Sequence, residues 1–236
     1  MFYFDPMYFV FIAPGMLLAM WASFRVQSAF KKYSQVGTSN GYTGAEAAQL
    51  LLDRAGIQDV QVVPAQGMLT DHYNPVTKQL ALSEGVYHSR SVAAVGIAAH
   101  ETGHAIQHAA HYAPLWIRSA LVPTANIGST LGYIVMAVGL AVSPWVVLAG
   151  IVMFSAVLLF QIVTLPVEFD ASARAKKLLV ESGIIHSQER YGVDRVLNAA
   201  ALTYVAAVVS SLLVVLYYVY RSGLLGNRGD FSRESS

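Results

Sequence analysis

The chain has 236 residues, of which 55% are hydrophobic and only 12% charged, about half the charged share of an average soluble protein. Fifteen basic residues stand against fourteen acidic ones, so there is no basic excess for nucleic acid. The absence of cysteine excludes disulfides, thiolate metal sites and a cysteine nucleophile.

In chain order, residues 6–24 contain no Asp, Glu, Lys or Arg. About 20 apolar residues cross roughly 30 Å of hydrocarbon, so this run predicts a transmembrane helix near 7–24. No basic segment precedes it, and Arg25, Lys31 and Lys32 follow. That is the pattern of an uncleaved anchor with its amino terminus outside, and it puts residues 25–118 in the cytoplasm. Within that segment, Thr43-Gly44-Ala45-Glu46 reads as a capping box for a helix over 47–55 that ends at Gly56. Residues 60–63 read as a short strand, and 69–73 and 79–82 as a hairpin joined through Asn74-Pro75. Residues 91–111 read as one helix, opened by Ser91 and free of proline.

A second charge-free run covers residues 119–167. It is long enough for two crossings, near 121–142 and 145–165, with the turn at Ser143-Pro144, because proline disfavours helix at the residue before it. Residues 168–195 are polar, helical over 168–183, and after a short break lead into a last crossing near 200–220 within the charge-free run 196–220. Arg174, Lys176, Lys177, Arg190 and Arg195 precede that crossing and agree with a cytoplasmic placement. The tail, with Arg221, Arg228 and Arg233 against Asp230 and Glu234, runs against it; its last ten residues are expected to be disordered.

The expected fold is a mainly α membrane protein: four transmembrane helices plus a small α+β region with a short β-hairpin. The expected segments are an anchor (1–24), a cytoplasmic region with the histidine helix (25–118), a transmembrane hairpin (119–167), a polar helix (168–195) and a last crossing with a polar tail (196–236).

The chemistry concentrates in His100-Glu101-Thr102-Gly103-His104. On a helix, His100 and His104 lie one turn apart on one face and can reach one ion. Glu101 is rotated about 100° from His100, where it can act as a general base without being a ligand. Zinc suits such a site, which needs a third ligand and an open fourth position. A downstream histidine of the extended metzincin pattern fails, because Gln107 and Ala110 stand where Gly and His are required. His108 continues the stripe, but three histidines spaced four apart climb about 12 Å, too far for the outer two to share an ion easily. Glu168 is the first charged residue after the second charge-free run. Two crossings return the chain to its starting side, so topology brings Glu168 back to the membrane surface where the histidine helix ended.

The Ala-Ala-His-Glu-Thr-Gly-His-Ala-Ile-Gln-His stretch at 98–108 and Glu168-Phe169-Asp170-Ala171-Ser172 resemble the bacterial YugP-like neutral zinc metallopeptidases, membrane relatives of the HtpX and CAAX-prenyl proteases. The resemblance runs over about residues 2–220. It implies a gluzincin with one zinc ion on His100, His104 and Glu168, and Glu101 as catalytic base. The HtpX-type pattern carries an Asp four residues after its glutamate ligand to support a ligand histidine. Here that position is Ser172, expected to bond a ligand directly or through water, while Asp170 points away from the face of Glu168. The implied reaction is peptide-bond hydrolysis, with His72, Tyr73, Tyr87, Arg174 and His186 as candidate oxyanion donors. By the same resemblance, the hairpin at 69–82 is the candidate for pairing with an extended substrate.

The implied partners are a peptide or protein substrate, membrane proteins included, and the lipid bilayer, with no nucleic acid. The implied location is the inner (cytoplasmic) membrane, with the site on its cytoplasmic side. Two other readings compete. A site-2-type intramembrane protease needs the histidine helix inside the bilayer and a ligand Asp on a distant helix, yet Arg90 interrupts the run before His100 and no Asp lies inside the charge-free runs. A metal-binding scaffold or transporter has no use for Glu101 and needs ionisable groups near the membrane midplane. Gly128, Gly132, Gly139 and Gly150 permit close helix packing within or between chains.

Overall fold

The computed structural model describes residues 5–224; the charges expected in the tail at 228–234 and the disorder expected there lie outside them. The protein is mostly helical. Helix α1 spans Pro6–Tyr33, α2 Gly44–Arg54, α3 Glu84–Tyr87, α4 Val92–Ala109, α5 Ala113–Ile127, α6 Tyr133–Val142, α7 Pro144–Glu181 and α8 Arg190–Arg221. Strands β1 (Gln61–Ala65), β2 (His72–Asn74) and β3 (Gln79–Ser83) form one small sheet. Four helical stretches are long and apolar enough to cross a membrane: Pro6–Tyr33, Ala113–Val142, Pro144–Glu181 and Arg190–Arg221.

Contacts divide the described residues into two compact units, one from residues 5–20, 117–163 and 204–224, the other from 21–116 and 164–203. The first unit is helical. Glycines let its backbones approach: a Cβ on Gly139 would press on the backbone of Val147, one on Gly132 on that of Phe154, and one on Gly150 on that of Met136. The close packing expected of these glycines therefore occurs within the chain. Met136, Val147, Ile151, Phe154, Tyr217 and Tyr218 form the buried cluster. Val142, Trp145 and Val152 present their side chains outward, as lipid-facing positions do. Ser143 takes an extended conformation (φ −170°, ψ 146°) and separates α6 from α7, which is the turn expected at Ser143-Pro144.

The second unit contains the sheet and α2, α3 and α4. The capping box is present: Thr43 Oγ1 accepts from the Glu46 amide and Glu46 accepts from the Thr43 amide. The strand order is β1-β3-β2, with β1 parallel and β2 antiparallel to β3. Of the first expected hairpin strand, 69–73, only His72 and Tyr73 lie in β2. Leu69 sits at φ +56° and Gly67 at φ +99°, so the chain turns there and extends only from His72. Asp71 then accepts hydrogen bonds from the amide and hydroxyl of Ser83, which ties the two strands together beside the register His72↔Ala81.

Two helices run further than the charge pattern marks. Helix α1 continues past Arg25 to Tyr33, with Lys31 and Lys32 in its last turn, where cations suit the helix dipole. Helix α7 carries Pro166 inside it and continues to Glu181 without a break. The polar helix expected over 168–183 is the same helix as the third crossing. The crossing expected at 121–142 starts earlier, at Ala113, and contains Pro123 and a π-helical segment, Gly128–Gly132.

Candidate metal centre

Helix α4 is built to be surrounded. Ser91 caps it, its hydroxyl accepting from the Ala94 amide at 3.2 Å. Its small residues Ala93, Ala94, Ala98, Ala99 and Ala105 are all essentially inaccessible, which lets neighbouring elements come close. The closest approach is at Gly103. A Cβ there would lie 2.7 Å from the carbonyl oxygen of Ala171 on α7, closer than real Cβ contacts come. Only glycine lets the two helices meet at this point, and the meeting point lies between the two halves of the candidate site.

Across this contact, His100 and His104 face Glu168. The Nε2 atoms of His100 and His104 lie 3.2 Å and 3.6 Å from Glu168 Oε2. One donor atom from each of the three residues falls within 4.8 Å of the others, so the cluster can hold a metal ion. Glu168 is 2% exposed. Burial works against its charge, and the two imidazoles beside it offset that cost. Burial also opposes charge on His104; the hydrogen bond to Glu168 and the field of Glu101 overcome it and raise its pKa.

Both imidazoles are held from behind. His100 Nδ1 lies 3.1 Å from Ser172 Oγ, the direct bond among the two modes expected of Ser172. His104 Nδ1 lies 3.0 Å from Gln107 Oε1. Gln107 is completely buried, and its amide nitrogen donates to the Val167 carbonyl and to Asp170 Oδ2, both at 2.8 Å. Those two acceptors fix which end of the amide faces His104: the oxygen does, and it accepts the Nδ1 proton. When the imidazole is neutral, with its proton on Nδ1, its Nε2 lone pair is available to an ion in place of the contact with Glu168. Arg174 Nε donates to the same Asp170 oxygen at 2.6 Å, which extends the chain Arg174–Asp170–Gln107–His104. Two imidazole nitrogens oriented by outer hydrogen bonds, with one buried carboxylate, are donors of the kind that zinc takes. The residues present therefore fit the ion.

Gln107 and its link to Asp170 are what sequence reasoning misses. Along the chain, Gln107 stands out only as a departure from the metzincin pattern. Its spacing of three from His104 places the two side chains together on a helix, and that spacing is the one signal the sequence offers. Asp170, expected to point away from the face of Glu168, also reaches α4 and supports His104 through Gln107.

Glu101 is buried, next to His100 in α4 and outside the three-residue donor set. His108 is also outside it. Its Nδ1 lies 3.0 Å from the Tyr73 hydroxyl and 3.5 Å from Lys78 Nζ, and its ring packs 5.4 Å from Trp116. Three of the candidate oxyanion donors, Tyr73, His72 and Arg174, have polar side-chain partners elsewhere. Tyr73 meets His108, His72 Nδ1 meets the Thr70 carbonyl at 2.8 Å, and Tyr87 packs edge-on against His88. Arg174 pairs with Asp170 and lies over Tyr112, while the His186 amide donates to Glu189.

Four helices long and apolar enough to cross a membrane and a His, His, Glu cluster able to hold a metal ion are the features of a membrane metalloprotein. The chain belongs to the family described as "Putative neutral zinc metallopeptidase", whose profile matches residues 8–223. It is also 46% identical over 215 residues to "Putative membrane protease YugP" of Bacillus subtilis (strain 168), covering 90% of this chain and 96% of that protein. No solved structure matches it.

Proposed function

We propose that this chain is a zinc endopeptidase of the cell's inner (cytoplasmic) membrane, hydrolysing peptide bonds on the cytoplasmic side. His100, His104 and Glu168 hold one ion and Glu101 is the general base. The observation that carries the reading is the convergence of the three donor atoms within 4.8 Å in the turn of α4 that also bears Glu101. When bound, zinc acts as a Lewis acid and brings the pKa of a water to about 7.

The protein's own groups do the rest. Glu168 supplies the one negative charge among the ligands, so the centre keeps net positive character toward a carbonyl oxygen. Ser172 and Gln107 keep the two Nε2 atoms aimed inward. Glu101 takes the proton of the attacking water and returns it to the amine nitrogen of the leaving peptide. Strand β2 lies at the edge of the sheet, so its free side can pair with an extended substrate backbone. Its Tyr73 already reaches His108 on α4.

Membrane proteins, or the segments flanking their crossings, are the substrates that suit an enzyme held in the bilayer. The basic residues Arg25, Lys31 and Lys32 after the first crossing and Arg190 and Arg195 before the last support the cytoplasmic side. Helix α4 is not among the four membrane-crossing candidates, which supports surface action over a site inside the bilayer.

The test is metal content and casein cleavage on one purified preparation. Glu101→Ala is expected to retain zinc and lose cleavage; Glu168→Ala is expected to lose the metal. Retention of zinc in Glu168→Ala would move the third ligand elsewhere, with His108 the next candidate. Cleavage by Glu101→Ala at the wild-type rate would remove it as the base.

A further inference from the structure

Away from the metal centre, α1 and α8 enclose an open pocket of about 290 Å³ whose walls include Arg25, Ser28, Lys32, Tyr33, Tyr191 and Arg195. Three cations line it and no acidic residue does. Each cation rests on an aromatic ring or hydroxyl. Arg25 lies over the Trp21 ring at 5.4 Å and Lys32 over the Tyr33 ring at 5.4 Å. Arg195 donates from Nε and Nη2 to the Tyr191 hydroxyl at 2.8 Å and 2.5 Å. None of the three forms an ion pair with a carboxylate among the described residues. Elsewhere in the same unit the pattern differs: Lys78 pairs with Asp59, Arg90 with Glu46 and Arg174 with Asp170.

The depth of the pocket is set by the two helices that form it. Arg25 is the first charged residue after the charge-free run 6–24 on α1, and Arg195 is the last before the run 196–220 on α8. Both mark the level at which a helix leaves the hydrocarbon, and Trp21 and Tyr191 are the amphipathic rings that favour that level. The phosphates of the lipid headgroups lie there. Basic pockets between membrane helices hold such groups, and each Lys or Arg near an anionic surface adds to the attraction.

We propose that this pocket binds the phosphodiester headgroup of an anionic phospholipid. Arg25 and Arg195 contact the phosphate oxygens from opposite walls, Lys32 adds charge, and Ser28 can donate a further hydrogen bond. A zwitterionic lipid brings its own ammonium cation into a pocket that already holds three cations, so the site discriminates by charge. The proposal rests on membrane insertion and is independent of proteolysis.

The test uses the full chain reconstituted in phosphatidylcholine bilayers, in a Trp116→Phe, Trp145→Phe background that leaves Trp21 as the sole tryptophan. Trp21 emission is followed as brominated phosphatidylglycerol, or brominated phosphatidylcholine, replaces unlabelled lipid. Quenching by the phosphatidylglycerol is expected to half-saturate at a mole fraction about tenfold lower than for the phosphatidylcholine. Replacing Arg25, Lys32 and Arg195 by Gln is expected to abolish the preference. The charge-conserving triple, Arg25→Lys with Lys32→Arg and Arg195→Lys, is expected to keep it. Removing the same amount of charge elsewhere, with Lys31→Gln, Arg54→Gln and Lys177→Gln, is expected to leave it intact. Equal quenching by the two lipids in the parent protein would overturn the proposal whether or not the variants fold. So would loss of the preference in the control triple, which would make it a general surface charge effect. Reversal of the quenching by millimolar inorganic phosphate at constant ionic strength would assign the pocket to free phosphate instead.

Discussion

Gln107 accepts the Nδ1 proton of His104 at 3.0 Å while donating to Asp170 at 2.8 Å. One buried amide thus ties the orientation of a histidine on α4 to a carboxylate on α7. Replacing Gln107 by Leu leaves His104 Nδ1, the Val167 carbonyl and Asp170 without this partner. Zinc affinity, read by competition with a chromophoric chelator, is expected to fall by about 10- to 100-fold. The stability cost of stranding buried polar groups is about 1–3 kcal/mol. An unchanged zinc affinity in a folded Gln107→Leu protein would show that His104 is oriented by other contacts.

Ser172 plays the corresponding part for His100, at 3.1 Å. Ser172→Ala removes the acceptor and is expected to weaken zinc binding by about tenfold. Ser172→Asp offers a charged acceptor, a stronger partner for an imidazole N–H, and is expected to bind zinc at least as tightly as the wild type. Zinc dissociation constants of the two variants decide it, and the reverse order would sink this role for Ser172.

Gly103 is where the site is most sensitive to one methyl group. With the Ala171 carbonyl oxygen 2.7 Å from the position of a Cβ, Gly103→Ala forces α4 and α7 apart. Overpacking of this kind costs about 1–3 kcal/mol. Zinc content is expected to drop while the far-UV circular dichroism keeps its helical form. Gly85→Ala is the comparison, because a Cβ there meets nothing within 4 Å; it is expected to bind zinc normally.

Metal removal should register in thermal unfolding. A ligand that binds only the folded state adds about 2.7 kcal/mol at a free concentration of 100 times its Kd. Stripping zinc from the detergent-solubilised protein is therefore expected to lower its unfolding temperature, with recovery on adding zinc back. His100→Ala is expected to show no zinc-dependent shift. A zinc-dependent shift of wild-type size in that variant would place the ion at another site.

Much of this protein is legible along the chain because the controlling physics is local. The absence of charge from 6–24, 119–167 and 196–220 reports apolar length, and length decides whether a helix can cross. The turn at Ser143-Pro144 and the capping box at Thr43 and Glu46 follow from backbone chemistry within a few residues. The spacing of His100 and His104 places both imidazoles on one face of any helix that forms there.

Other features depend on packing across long separations. Pro166 does not stop α7, so the polar helix and the third crossing belong to one continuous helix, and Glu168 and Ser172 share the face that meets α4. Leu69 turns where the residue pattern predicts a strand, and β1 joins β3 in parallel, a pairing the residue pattern leaves open. Glu168 can be named from the sequence as a candidate third ligand, but its distance to the histidines is set by the contact of Gly103 with Ala171. Gln107 reads as an ordinary polar residue until Val167 and Asp170 close around it. The sequence determined which groups were available and on which helical faces they stood; the tertiary structure decided which of them meet. That division has a physical cause, since periodicity acts within a turn or two, while donor convergence requires two helices separated by more than sixty residues to touch at a residue without a side chain.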